Sequence, residues 1–234
     1  MSKRGKKYVK AQEFLKEGAV YTVSEAVDML EKTNTVKFDP TVEVHFTLNL
    51  DPKHVDQMIR TTTTLPNGTG KMPKVLAFTD AGNAAELKKA GAAAAGDQEL
   101  ISEIEQGNIA LDFDVCVATP TMMRNLGKVA RVLGPKGLMP NPKTGTVGPD
   151  LIAIVKEIAG GKFEFKTDKH GNIHSIFGKL SFGKEKLEAN LNHFLATIND
   201  VKPTGSKGKY IENITVCNAM GPGIKLDLEA LGAK

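Results

Sequence analysis

The chain reads as an α+β domain split in sequence, carrying an inserted α/β domain of the Rossmann-like, three-layer kind. Three observations predict this. Residues 42–50 alternate apolar and polar side chains, the period-2 signature of a strand with one face buried and one wet. Between about residues 68 and 159 the strands become short unbroken apolar runs, Val75–Phe78 and Val115–Ala118, separated by helical stretches at 84–90 and 99–106. Buried parallel strands alternating with helices give that pattern. After Gly160-Gly161 the alternation returns in Lys162–Lys166. A half-wet strand needs paired neighbours and a covered face, and the other alternating strands lie after residue 160. Joining the two ends makes 1–67 and 160–234 one domain, with 68–159 inserted. The glycines at the two crossings, Gly68, Gly70, Gly160 and Gly161, predict a hinge.

The remaining elements follow in chain order. Thr22-Val23-Ser24-Glu25 forms a capping box, and Val23, Ala26, Val27 and Leu30 then share one helical stripe. Asp51-Pro52 opens a helix with Val55, Met58 and Ile59 on its inner face. A helix with Met122, Leu126, Val129, Ala130 and Val132 inward and Arg124, Lys128 and Arg131 outward ends at Gly134. Lys169-His170-Gly171-Asn172 makes a turn, with strands at 173–176 and 210–216. Between them a helix over 184–198 carries Leu187, Leu191, Phe194, Leu195 and Ile198 at helical spacing.

Composition narrows the function. With 41% hydrophobic and 25% charged residues in 234, the chain is globular and long enough for two cores. No apolar run reaches the roughly 20 residues of a membrane span, and no signal peptide opens the chain, so a cytosolic protein is expected. Cys116 and Cys217 read as free thiols and cannot make a metal quartet. The net charge is +4. Residues 68–159 carry ten basic and ten acidic side chains, so the excess lies in the end segments. Five bases fall within the first ten residues, as in a solvated tail or a nucleic-acid arm.

Catalytic signatures are missing. Asn67-Gly68-Thr69-Gly70-Lys71 resembles a phosphate loop, but Met72 stands where Ser or Thr would hold magnesium. Asp80-Ala81-Gly82-Asn83 lacks the dinucleotide glycine spacing. His45, His54, His170, His174 and His193 show no metal spacing, and there is no nucleophile elbow. The reading is therefore no enzyme, no cofactor and no metal, with a nucleotide-using α/β enzyme and a protein-interaction scaffold as the alternatives. At 6% aromatics and no Trp, base-stacking platforms are also unavailable. An RNA-binding chain of this kind would use shape, backbone contacts and a polar sheet face. Glu43, His45 and Thr47, beside Lys162, Glu164, Lys166 and Asp168 with Lys179 nearby, would form such a face. A plain solvated sheet has the same appearance. Lys136 and Lys143, in the Gly/Pro-rich stretch 133–143, could contact phosphate, although the stretch reads equally as a connection.

That stretch carries a resemblance. Val129-Ala130-Arg131-Val132-Leu133-Gly134-Pro135-Lys136-Gly137-Leu138-Met139-Pro140-Asn141-Pro142-Lys143 closely resembles the signature of the L-one family, the large-subunit ribosomal proteins of the mobile stalk. Lys37-Phe38-Asp39-Pro40-Thr41-Val42-Glu43-Val44, Leu65-Pro66-Asn67-Gly68-Thr69-Gly70-Lys71 and Ala219-Met220-Gly221-Pro222-Gly223 match in order. The resemblance implies a split RNA-binding domain with an insertion, and a ribosome-bound, cytoplasmic ribonucleoprotein component. It implies binding to the stalk of large-subunit rRNA, assistance to the release of deacylated tRNA from the exit site, and a monomer outside the ribosome. For bacterial-type members it also implies repression of translation of the chain's own operon through its mRNA. The RNA-binding residues carried over are Lys37, Phe38, Thr41, Glu43, Lys166, Asp168, His174, Lys179, Ser181, Thr215, Met220 and Gly221. Lys136 and Lys143 would lie near tRNA. Ala219 departs from the usual Thr or Ser, removing a hydroxyl contact worth about 1 kcal/mol.

Overall fold

A computed structural model of the chain describes residues 4–228, except Glu17, Lys53, Ala81, Ile109, Ala110, Thr204 and Lys207. The first three residues of the basic opening therefore lie outside the described residues. From Lys6 the opening is helical rather than a tail: α1 (Lys6–Gln12) follows Arg4, whose guanidinium sits 4.8 Å over the Tyr8 ring. The described elements continue as α2 (Val23–Lys32), β1 (Thr41–Leu48), β2 (Arg60–Thr64), β3 (Val75–Phe78), α3 (Ala84–Lys89), β4 (Ala92–Gly96) and α4 (Gln98–Glu105). Then come β5 (Val115–Ala118), α5 (Pro120–Leu126), α6 (Ala130–Leu133), α7 (Leu151–Ala159), β6 (Lys162–Lys166), β7 (Asn172–Lys179), α8 (Lys184–Asp200), β8 (Ile211–Asn218) and β9 (Ile224–Lys225).

The chain divides into two compact units, Met1–Gly70 with Phe165–Lys234, and Lys71–Glu164. The first dividing line falls directly after Gly70, and the second lies between Glu164 and Phe165, a few residues beyond Gly160 and Gly161. Gly68, Gly70 and Gly161 hold positive φ values, whereas Gly160 closes α7 with φ −72°.

In the first unit β7, β1, β8 and β9 form an antiparallel sheet in that order. Val42, Val44, Phe46 and Leu48 of β1 are buried while the residues between them are half-exposed, so one face of the sheet is dry. The dry face packs on α8, whose Leu187, Leu191, Phe194 and Ile198 are fully buried. Phe46 meets Phe194 edge-on at 5.5 Å. α2 lies beside α8 and begins with the expected capping box, Glu25 N donating to Thr22 Oγ1 and Thr22 N to Glu25 Oε2.

Three sequence expectations fail here. Residues 55–57 make only a 3₁₀ turn, Met58 is 54% exposed, and β2 follows at once. The run Arg-Thr-Thr-Thr-Thr is β-branched and favours strand over helix. Second, β6 pairs with β2 in a separate two-stranded sheet. Lys162 and Glu164 therefore belong to a different sheet from Glu43, His45 and Thr47, and Lys162 holds Glu157 at 2.7 Å. Third, the helix before Gly134 is broken by a 3₁₀ turn at Gly127–Val129. Leu133 becomes the buried position there, and Val132 is 39% exposed.

The second unit is a parallel sheet ordered β4-β3-β5. Leu76 and Phe78 face one cluster with Ile101, Ile104, Met122, Leu126 and Leu133. Val75 and Ala77 face another with Leu87, Leu151, Val155 and Ile158. Helices thus cover both faces, in three layers. β4 reads Ala-Ala-Ala-Ala-Gly, a helix-favouring composition, so its strand state is set by pairing with β3.

Candidate functional site

The solvent side of the antiparallel sheet gathers most of the singled-out residues. Strand alternation puts Thr41, Glu43, His45 and Thr47 outward. The register then builds rows across the strands. His174, His45, Thr215 and Lys225 stand side by side, and the next row holds Ile176, Glu43 and Cys217. Lys179 pairs with Thr41 at the sheet end.

Beyond that end the loops close together. Ser181 donates to Asp39 through its N (3.1 Å) and Oγ (2.8 Å), and Lys179 Nζ lies 3.8 Å from the same carboxylate. Lys37, Phe38 and Ser181 line one hollow of about 390 Å³, with Phe38 55% exposed. Asp39 therefore joins the 37–40 loop to the 179–182 loop.

The turn after β8 abuts this end, because Ala219 N donates to Thr41 O at 2.9 Å. Gly221 N donates to Asn218 O at 2.8 Å, closing a four-residue turn. The left-handed position is Met220 (φ 65°), not Gly221. Gly221 is favoured for a different reason, since a Cβ there would stand 3.2 Å from Asn218 Cβ and 3.3 Å from its carbonyl oxygen, so that these neighbours would have to give by a few tenths of an ångström. Met220 is the only described non-glycine residue with positive φ, and it is 77% exposed. Backbone strain of this kind, at a residue whose side chain is exposed, clusters at functional sites.

At the opposite end Asp168 accepts from Asn172 N (2.7 Å) and His170 N (2.8 Å). Its Oδ2 faces His174 Nε2 at 3.5 Å. Burial raises its pKa, but these hydrogen bonds outweigh it and hold the carboxylate below the ordinary value. His174 Nδ1 lies 3.0 Å from His45 Nδ1, and His45 Nε2 lies 3.3 Å from Cys217 Sγ. Burial, then the neighbouring His174, lowers the His45 pKa. Burial, then Glu43, pushes the Cys217 thiol up to about 11. Glu43, His45 and Cys217 each bring one donor atom within 4.8 Å of the others. Sequence spacing could not show this trio, because Cys217 arrives from a distant strand.

Lys166 is exposed at the end of β6, one residue before Thr167, whose N donates to Ile59 O. Lys136 and Lys143 belong to the other unit. Lys136 is exposed in a turn following α6, and Lys143 N donates to Asn141 Oδ1 in a 3₁₀ turn. The stretch between them is anchored by buried Leu138 and Pro140. Asp39, Ile176, Cys217 and Lys225 belong to the face but were not singled out. Cys217 was recoverable from the period-2 outward positions of β8. Two-residue β9 leaves no periodic signal for Lys225.

The phosphate-loop resemblance has a structural explanation. Asn190, fully buried on α8, accepts from Asn67 N and donates to Gly68 O and Phe177 O at 2.8–3.0 Å. The Asn67-Gly68 loop is therefore fastened to α8.

Residues 30–222 match the model of the ribosomal protein L1p/L10e family. The chain belongs to that family. It is accordingly a ribosomal protein of the large subunit, from a family of structural ribosomal components. The match spans all twelve residues carried over as RNA-binding, together with Lys136, Lys143 and the four glycines. No described helix is long and apolar enough to cross a membrane.

Proposed function

We propose that the solvent face of the four-stranded sheet, with the loops at 37–40, 179–182 and 219–221, binds the stalk of large-subunit rRNA. The observation that carries this reading is the convergence of Lys37, Phe38, Thr41, Lys179, Ser181 and Met220 at one sheet end, with Met220 held exposed at positive φ. Lysines there meet phosphates, while Glu43 and Thr215 can bond 2′-hydroxyls and base edges, the groups that RNA offers in a shallow minor groove. Asp168 and His174 extend the face, with Lys166 at its margin.

Three finer roles rest on family membership. The chain assists release of deacylated tRNA from the exit site, with Lys136 and Lys143 of the insert nearest the tRNA. It represses translation of its own operon by binding an mRNA fold that mimics the stalk. Gly68, Gly70, Gly160 and Gly161 form a hinge between the two units; identical unit orientations in free and RNA-bound structures would count against it. The binding reading is tested by titrating the full chain against a stalk rRNA fragment and against an unrelated duplex of equal length. Strong preference for the stalk is expected, and equal affinity for both would overturn the reading. Exit-site tRNA release from subunits with and without the chain, and a reporter bearing the operon leader, test the other roles.

A further inference from the structure

We infer that Glu43, His45 and Cys217 form a surface binding site for a zinc-class divalent ion. The backbone sets up this trio. Glu43 and His45 are two residues apart on β1 and so point to the same face, and Cys217 is the direct cross-strand partner of Glu43 on β8. Three donors of the types zinc prefers, one carboxylate, one imidazole and one thiol, therefore stand on adjacent strands of a rigid sheet.

The separations suit tetrahedral coordination. Metal–nitrogen, metal–oxygen and metal–sulfur bonds of the usual zinc lengths place N and S about 3.5 Å apart and N and O about 3.4 Å apart. His45 Nε2 lies 3.3 Å from Cys217 Sγ and 3.8 Å from Glu43 Oε2. All three residues are half-buried, which leaves the fourth position open to water, as in sites that exchange a ligand.

The neighbouring hydrogen bonds put the right nitrogen forward. With His174 Nε2–H toward the Asp168 carboxylate, which can only accept, its Nδ1 can accept His45 Nδ1–H across 3.0 Å, and that tautomer leaves the His45 Nε2 lone pair toward Cys217 and Glu43. An acceptor behind the other ring nitrogen of a ligating imidazole is the usual outer support of a metal site, and here His174, backed by Asp168, stands in that place. On binding, the ion takes the position of the Cys217 thiol proton, which leaves to solvent as the sulfur becomes a thiolate.

The inference does not depend on RNA binding, and its test contains no RNA. The full-length chain, stripped of metal and kept reduced, is titrated with cobalt(II) and then with zinc(II). A thiolate-to-cobalt charge-transfer band in the near ultraviolet, saturating at one ion per chain and bleached by zinc, is expected. Cys217→Ser should abolish the band, whereas Cys116→Ala, a change in the interior of the other unit, should keep it. His174→Ala should retain the band but weaken cobalt affinity about 10- to 100-fold, the usual effect of removing an outer-shell partner. No band in the wild-type chain, or a band that survives in Cys217→Ser, would overturn the site. Unchanged affinity in His174→Ala would overturn the supporting chain of hydrogen bonds.

Discussion

Replacing Met220 with glycine separates the two things this residue does, because its backbone is strained and its side chain is exposed. An L-residue in the left-handed region carries a penalty of about 1–2 kcal/mol, which glycine removes. Glycine's greater freedom in the unfolded chain offsets about 0.5–1 kcal/mol of that gain. The side chain is 77% exposed, so its loss opens no cavity. Met220→Gly should therefore leave the fold unchanged or up to about 1.5 kcal/mol more stable, a rise of at most a few degrees in melting temperature for a chain of this length. RNA affinity should move the other way. If the methionine is covered on binding, its loss removes about 1.5–3 kcal/mol of apolar burial, or about 10- to 100-fold in Kd. The assay is a thermal melt and an equilibrium titration with stalk rRNA on one preparation. A clear fall in melting temperature with unchanged affinity would refute the reasoning at both points.

Further expectations follow from other parts of the structure. Asn190→Leu leaves Asn67 N, Gly68 O and Phe177 O without their partner and should destabilise the chain by roughly 3 kcal/mol, read from the urea midpoint. Asp114 sits below its ordinary pKa of 3.8, held there by Lys71 Nζ and then by Lys74 N. A depressed carboxylate contributes stability above its unfolded value and loses it as pH falls through the folded value. Asp114→Asn should thus be less stable than wild type at neutral pH, with the gap closing in acid melts below about pH 4. If Lys37, Lys166, Lys179 and Lys225 each meet a phosphate, log K should fall against log salt with a slope of about −3 to −4. A flat salt profile would remove the phosphate contacts from the account.

Much of this was legible in the sequence for identifiable reasons. β1 alternates without a break, so both its buried face and its outward Glu43, His45 and Thr47 are legible in the sequence. The capping box at Thr22 and Glu25 was equally plain, because local hydrogen-bond chemistry fixes it. What the sequence does not show lies where tertiary pairing overrides local preference. The Ala-rich β4, on which the sequence carries no strand signal of its own, is a strand because β3 offers it a ladder. Residues 55–57 make only a 3₁₀ turn before the strand at 60–64, although the apolar spacing of Val55, Met58 and Ile59 suggested a helix there. β6 alternates as a sheet strand should, but its partner is β2, and alternation cannot name a partner. The Glu43–His45–Cys217 group was hidden for the same reason, since it exists only once β8 is registered against β1.

The measurement that bears most directly on the central claim compares two double variants of the full chain for affinity to the stalk rRNA fragment. Lys179→Ala with Met220→Ala alters the sheet end, and Lys136→Ala with Lys143→Ala alters the insert while removing two positive charges from it. The account predicts a loss of about 100-fold or more for the first pair, from a charge-assisted contact and an apolar one together, and little change for the second. The reverse order, with the insert pair losing affinity and the sheet pair binding as wild type, would contradict it.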